Sequence, residues 1–318
     1  MGKFLLLAFR NVFRNRRRTV MTLLMVGGGV AGLLLVGGFF ARMFWGLRES
    51  TINDGLGHIQ IFTAEHFNRE EKHVLDTGID NWRQVAATVS TGGHVRGIAP
   101  RIEFNGMLSN GVKSSVFMGS AVEPVAENSL GFVPHLAEGR DLDSKPGGET
   151  EALIGAGVAR SMNVKPGDGL TLLAVTSDGA LNGIDVQIVG VVNTGFKEMD
   201  DRYLRITLPS AQRLLQSDRV TNLVVGLDKT ENTDMVAAEL GPRLRGLPQD
   251  LILKKWIDLA AYYKQVRSLF STIFVFLGII VFFMVLMASV NTLLMTMFER
   301  TVGCHREQGE TVAGFDVH

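Results

Sequence analysis

Residues 19–40 read TVMTLLMVGGGVAGLLLVGGFF, and residues 269–298 read LFSTIFVFLGIIVFFMVLMASVNTLLMTMF. These runs of 22 and 30 residues hold no Asp, Glu, Lys or Arg. A helix needs about 20 apolar residues to cross a hydrocarbon core about 30 Å thick. Both runs are long enough, and the second can tilt or extend past the bilayer. Buried helices of soluble proteins rarely continue so far without a charge. A cleaved leader would have a shorter apolar stretch, about 7–15 residues, and a small-x-small exit site. Here the first run ends in Phe39, Phe40, Ala41 and Arg42, so a retained anchor is the reading. Two membrane helices therefore flank everything between them.

The flanks set the orientation. Residues 1–18 contain Lys3, Arg10, Arg14, Arg16, Arg17 and Arg18, with no acid. Basic flanks stay in the cytoplasm, and two crossings return the C-terminus there. Phe4, Leu5, Ala8, Phe9, Val12 and Phe13 share one side of a helix, opposite Lys3, Arg10, Arg14 and Arg17. That pattern suits a helix lying in the headgroup layer. The expected organisation is an amphipathic juxtamembrane helix (1–18), a first membrane helix (19–44), an extracytoplasmic domain (45–265), a second membrane helix (266–298) and a cytoplasmic tail (299–318). The chain is thus an α plus mixed α/β membrane protein with an extracytoplasmic central domain.

Between the two ends lie 24 basic and 28 acidic residues, which gives no sign of nucleic-acid binding. The single cysteine, Cys304, sits in the tail. The exported domain must hold together by its core and not by disulfides. Its sequence alternates between strand and helix signals. His58-Ile59-Gln60-Ile61 has strand periodicity, and Asp80–Val89 places Trp82, Val85 and Val89 on one helical face. Asn110-Gly111 marks a hairpin. A short helix is expected near Val158–Met162, and the turn Lys165-Pro166-Gly167-Asp168-Gly169 precedes a strand at Leu170–Val175. Asp185–Val191 and Asn222–Leu227 read as strands. Ser210–Leu215 reads as a helix with a Ser cap after Pro209, and Ile257–Arg267 as a helix running straight into the second span.

Catalytic and cofactor motifs are missing from the sequence. It has no G-x-x-x-x-G-K-[ST] loop, no H-E-x-x-H and no Cys pair. Gly155-Ala156-Gly157 lacks the third glycine of a dinucleotide loop and reads as a helix entry. Glu65, His66, Glu70, Glu71 and His73 read as a solvated polar face. The adjacent carboxylates Asp200 and Asp201 read as part of a loop. No enzyme activity, cofactor or metal is expected. Inside the spans, Gly28 and Gly32 form a small-xxx-small pair that lets another helix approach, and Asn291 is a polar group seeking a partner across a helix interface.

One ordered set of segments carries a resemblance. A basic amphipathic helix precedes the first span. Glu151-Ala152-Leu153-Ile154-Gly155, Val164-Lys165-Pro166-Gly167-Asp168, Val189-Gly190-Val191, Thr194-Gly195 and Asp200-Asp201 follow in the exported domain. Asn291-Thr292-Leu293 and Glu299-Arg300-Thr301 close the second span. The set resembles the permease subunits of the MacB, FtsX and lipoprotein-releasing (LolC/LolE) type of ABC transporter. The resemblance implies a dimer with a second copy or paralogue and a separate cytoplasmic ATPase subunit. It implies ATP-driven motion passed to a porter-like domain with an inserted, mostly-β subdomain, here about 125–217, for lipoprotein release or export of a peptide or small molecule. It also implies an ATPase contact through Met297, Glu299, Arg300 and Thr301. The family pattern E-R-T-R-E-I-G departs after Thr301, and its two further spans do not follow, so a truncated or frameshifted chain is expected, with a natural two-span variant as the alternative. A two-span sensor or accessory protein shares the outline but would need a cytoplasmic signalling domain.

The topology is open to direct test. A cysteine introduced by Ser177→Cys should react with an impermeant thiol reagent in intact cells, whereas Cys304 should not. Labelling of Cys304 alone would reverse the orientation.

Overall fold

A computed structural model describes residues 16–67, 75–143 and 150–313. Most of the expected amphipathic helix (residues 1–15) and Glu70, Glu71 and His73 lie outside the described residues. The chain divides into two compact units, a helical one up to Gly46 and from Lys264, and a domain over Leu47–Tyr263.

Helix α1 (Arg16–Thr51) carries the first apolar run. A π-type turn, Ile52–Leu56, ends it. In chain order there follow β1 (Ile59–Thr63), α2 (Trp82–Ser90) and β2 (Val95–Ser109). The next stretch holds β3 (Ser114–Val122), α3 (Pro124–Leu130), β4 (Leu136–Gly139), β5 (Glu151–Gly155), α4 (Ala156–Met162), β6 (Gly169–Val175), β7 (Leu181–Val192), α5 (Lys197–Asp200), β8 (Tyr203–Thr207) and α6 (Leu208–Leu215). The chain then returns through β9 (Asn222–Leu227), α7 (Thr233–Leu244), β10 (Leu251–Lys255) and the short α8 (Trp256–Leu259) to the long α9 (Ala261–Ala313). Val26–Leu56 and Ala261–Met295 are each long and apolar enough to cross a membrane by length and composition.

Two architectures share strand β2. In the first, the sheet order β10-β1-β9-β2, with α2 after β1 and α7 after β9, is a split βαβ arrangement of the ferredoxin-like kind. Trp82, Val85 and Val89 of α2 and Val236, Leu240 and Leu244 of α7 are buried, as helical periodicity requires of faces covering a sheet. In the second, β2 pairs with β3, β3 with β8 in parallel, β8 with β5, β5 with β7 in parallel and β7 with β6. Strand β6 then returns to β2 at Met107–Ser109. Six strands thus close a ring, which leaves fewer free edges than an open sheet. Phe104, Leu108, Phe117, Ile154, Leu172, Ile188, Leu204 and Ile206 belong to its core. Phe104 and Phe117 meet edge to face at 5.4 Å, a favoured aromatic geometry.

Local chemistry explains most elements. Gly111 takes φ +83° in the β2–β3 hairpin and Gly167 φ +101° in the turn before β6, a region open to glycine. The sequence expectation differs from the structure in several places. All residues of β1 are buried, because β9 and β10 flank it on both edges and each face is covered. Helix α6 begins at Leu208 with Thr207 as its cap residue, not Ser210. Pro209 suits the first turn because it lacks an N–H, and Ser210 instead bonds Thr207 Oγ1 at 2.8 Å. The helix into the second span is interrupted at Ala260 (φ −77°, ψ +69°). The segment past Phe298, expected only as a tail, continues α9 to Ala313, since extending a formed helix needs no new nucleus. The ring already includes Ser114–Val122, upstream of position 125, because β3 pairs along β2 from Arg101 to Ser109.

Phe117→Ala should cost about 3–5 kcal/mol, the usual range for emptying a large aromatic site. A lowered urea midpoint for the domain of the full chain would show it.

Candidate functional site: the junction where the chain enters and leaves the domain

Both connections to the helical unit reach the domain at neighbouring strands, since Ile59 of β1 faces Lys255 of β10. On the entry side, α1 cannot run directly into β1. Gly55 (φ +117°) and Gly57 (φ +69°) reverse the chain. A Cβ on Gly57 would lie 2.3 Å from Val224 Cγ1, so only glycine fits. Ile52 is fully buried and anchors the turn.

Three sets of polar bonds fasten this corner. Arg101 of β2 donates from Nη1 to the Gly55 carbonyl. It also donates to both carboxylate oxygens of Glu127 on α3, at 2.7 and 2.8 Å. The side chains of Arg101 and Glu127 are only 11% and 3% exposed. A bidentate guanidinium–carboxylate fork at such depth is strong and directional. It ties the entry turn to the shared strand and to a helix of the ring.

The second set centres on His58. Its N–H donates to the Val225 carbonyl at 3.0 Å, and its carbonyl accepts from the Trp256 N–H at 2.9 Å. Its ring Nδ1 accepts from the Leu227 N–H at 3.1 Å. Nε2 lies 3.3 Å from Thr230 Oγ1, and Thr230 donates to the Glu49 carboxylate at 3.1 Å. One residue thus bonds β9 and the exit segment directly, and reaches the entry helix through Thr230. Burial pushes the His58 ring below the ordinary histidine range, because a charge there would lose its water. The third set is peripheral: Arg48 of α1 bonds Glu231 at 2.9 Å. On the exit side, the Asp258 carboxylate accepts from the Lys255 N–H at 3.2 Å at the start of α8. Trp256 meets Tyr263 edge to face at 5.2 Å.

The residues singled out by sequence fall elsewhere. Cβ atoms on Gly28 and Gly32 would meet nothing within 4 Å, and Asn291 is exposed. Within the chain the two long helices approach instead at Gly29, 3.3 Å from Val281, and Gly37, 3.3 Å from Phe274. Phe40 and Phe44 add contacts with Phe270 at 5.1 and 6.0 Å. Met297 is exposed on α9. Glu299, Arg300 and Thr301 continue its backbone, and their side chains lie outside the described residues. Among the described residues no group of His, Cys, Asp and Glu could hold a metal. The Gly155-Ala156-Gly157 entry has a packing reason: Cβ atoms there would lie 2.2 Å from the Asp200 carbonyl oxygen and 2.0 Å from Asp201 Oδ1. Asp200 ends α5 and accepts from the Thr194 N–H and hydroxyl at 2.8 and 2.7 Å. The two acids are therefore split: Asp200 is buried and holds Thr194, and Asp201 lies against Gly157 at the start of α4.

Sequence reading did not single out the roles of Glu49, Arg101, Glu127 and Thr230. The run Asp54-Gly55-Leu56-Gly57 is the one local signal of a forced turn there. A further feature it missed is a groove of about 790 Å³ on the ring, lined by Met107, Val116, Met118, Val175, Leu181 and Arg202 among others. Its exposed methionines give an adaptable apolar surface.

The family model described as the MacB-like periplasmic core domain matches residues 19–243. The chain belongs to this family. The transmembrane protein LolE of the lipoprotein-releasing system of Haemophilus influenzae is 25% identical over 234 residues, 70% of this chain and 54% of LolE. LolC of Xylella fastidiosa is 25% identical over 171 residues, 52% of this chain and 41% of LolC. The chain spans about half the length of the curated relatives it matches. The periplasmic region of MacB from Actinobacillus actinomycetemcomitans aligns with TM-score 0.45 and 15% identity, covering 67% of this chain and 94% of that one. The MacB-like chain is thus a membrane protein with two apolar helices flanking a periplasmic-type α/β domain.

In this MacB-like domain, Glu127→Ala should destabilise the fold by about 3–5 kcal/mol, because it strands the Arg101 charge. Replacing both partners together, Arg101→Met with Glu127→Leu, should cost clearly less. Chemical denaturation of the three forms measures the difference.

Proposed function

We propose that the chain is the transmembrane permease subunit of an ABC transporter and transmits ATP-driven motion to its extracytoplasmic domain. The cargo would be a lipoprotein, or a peptide or small molecule for export. The proposal draws support from the junction: entry and exit segments meet at His58, and Arg101 locks the entry turn to the shared strand. Displacement of either helix end would therefore load the sheet directly, without a slack linker to absorb it. A subunit of this kind hydrolyses no ATP itself, and the ATPase is a separate cytoplasmic chain. Both termini lie in the cytoplasm. Met297, Glu299, Arg300 and Thr301 form the contact with the ATPase. The open faces at Gly28 and Gly32, with Asn291, receive a second permease copy or paralogue, as close helix approach in lipid favours small residues and polar partners.

The test is co-expression with the candidate ATPase, followed by co-purification and ATPase measurement in nanodiscs. Glu299→Lys with Arg300→Glu should weaken the association on the order of tenfold or more, as loss of paired interface charges does, while membrane insertion is unchanged. If the unaltered chain neither binds nor stimulates the ATPase, the two-span sensor or accessory reading replaces this one.

A further inference from the structure

His58 is the one buried histidine among the described residues, and its hydrogen bonds specify its protonation state. The Leu227 N–H points at Nδ1 from 3.1 Å, so Nδ1 must present a lone pair. The neutral ring then carries its proton on Nε2, which faces Thr230 Oγ1. The Thr230 hydroxyl is left to donate to Glu49, whose oxygens lie 3.1 and 3.3 Å away. Every donor in this row points the same way, from the sheet towards the last turn of α1.

We propose that His58 is a proton-controlled latch: the neutral ring clasps the end of β9 and the entry helix together, and protonation at Nδ1 opens the clasp. A proton on Nδ1 would set two N–H groups against each other in a buried site, leaving one unsatisfied. The ring must then move or Leu227 must detach, and Leu227 directly precedes the turn that bears Thr230 and Glu231. The charged groups acting on the ring come from three elements. Glu49 and Glu231 favour its protonation, while Arg48 and Arg96 oppose it. Lys255, across from Ile59, is occupied by Asp234 at 2.8 Å. Burial is the largest influence and holds the ring neutral. The folded-state value therefore lies below the unfolded one. The stabilisation is complete above about pH 6.5 and is lost as pH falls through the folded value. The latch belongs to the folded domain and operates whether or not an ATPase is bound.

The test uses the full chain in nanodiscs. Histidine ¹⁵N spectra should show the His58 ring neutral with its proton on Nε2 at about pH 7.5, titrating below the ordinary histidine range. Amide exchange at Leu227, corrected for intrinsic rates, should lose roughly tenfold protection on going to about pH 5, in step with that titration. His58→Asn keeps an acceptor opposite Leu227 but cannot titrate, so its protection should stay level with pH. Three results would each overturn the latch: a Leu227 amide indifferent to pH in the unaltered chain, the opposite tautomer, or a pH response that survives in His58→Asn. The spectra of the unaltered chain decide the matter even if the variant does not fold. None of these readouts involves transport, so they are independent of the permease reading.

Discussion

Strand β2 is the member on which both halves of the domain are built. At about 3.3 Å per residue its 15 residues extend roughly 50 Å. One edge pairs with β3 from Arg101 to Ser109. The other pairs first with β9, from Val95 to Arg101, and then with β6, from Met107 to Ser109. The change of partner requires a close approach at Gly106, where a Cβ would lie 2.3 Å from the Leu173 carbonyl oxygen. A side chain there would hold β6 away and open the ring. In the gap between the two partners, Thr221 Oγ1 accepts the Glu103 N–H at 2.9 Å, so the unpaired donor is satisfied.

Continuity of β2 gives the junction its leverage. Arg101 stands where the two pairings of the strand overlap, and its guanidinium reaches the entry turn on one side and Glu127 on the other. Buried ion pairs contribute little net stability relative to apolar packing, but removing one partner is costly. Their effect here is geometric: Gly55, β2 and α3 keep a single arrangement. His58 performs the same office for β9 and the exit segment, and through Thr230 for α1.

Much of the fold was legible in the sequence because its signals are local. The two uncharged runs marked the membrane helices. Trp82, Val85 and Val89 identified the buried face of α2, and the glycines at 111 and 167 placed two turns. Legibility failed where the partner is distant in the chain. The cap of α6 passed from Ser210 to Thr207 because β8 delivers the chain in extended form up to that residue. The short helix α8 that precedes the break at Ala260 starts at Trp256, whose N–H is held by the His58 carbonyl, a bond across nearly 200 positions. Within the chain the two long helices approach at Gly29 and Gly37, which the sequence did not single out, because the facing Val281 and Phe274 lie far along the chain.

The sequence by itself determined the class of molecule: two apolar helices, a domain without disulfides between them, and strands and helices in an order resembling MacB-like permeases. Those properties depend on composition and on periods of two and 3.6 residues, which act within a few positions. Only tertiary structure decided that β6 closes a ring onto β2, that Arg101 and Glu127 meet in the interior, and that a lone histidine beside a strand joins the entry helix to the sheet. Each of these depends on pairing between segments tens to hundreds of residues apart. Such pairing is chosen by register and burial of the whole sheet, and no local pattern encodes it.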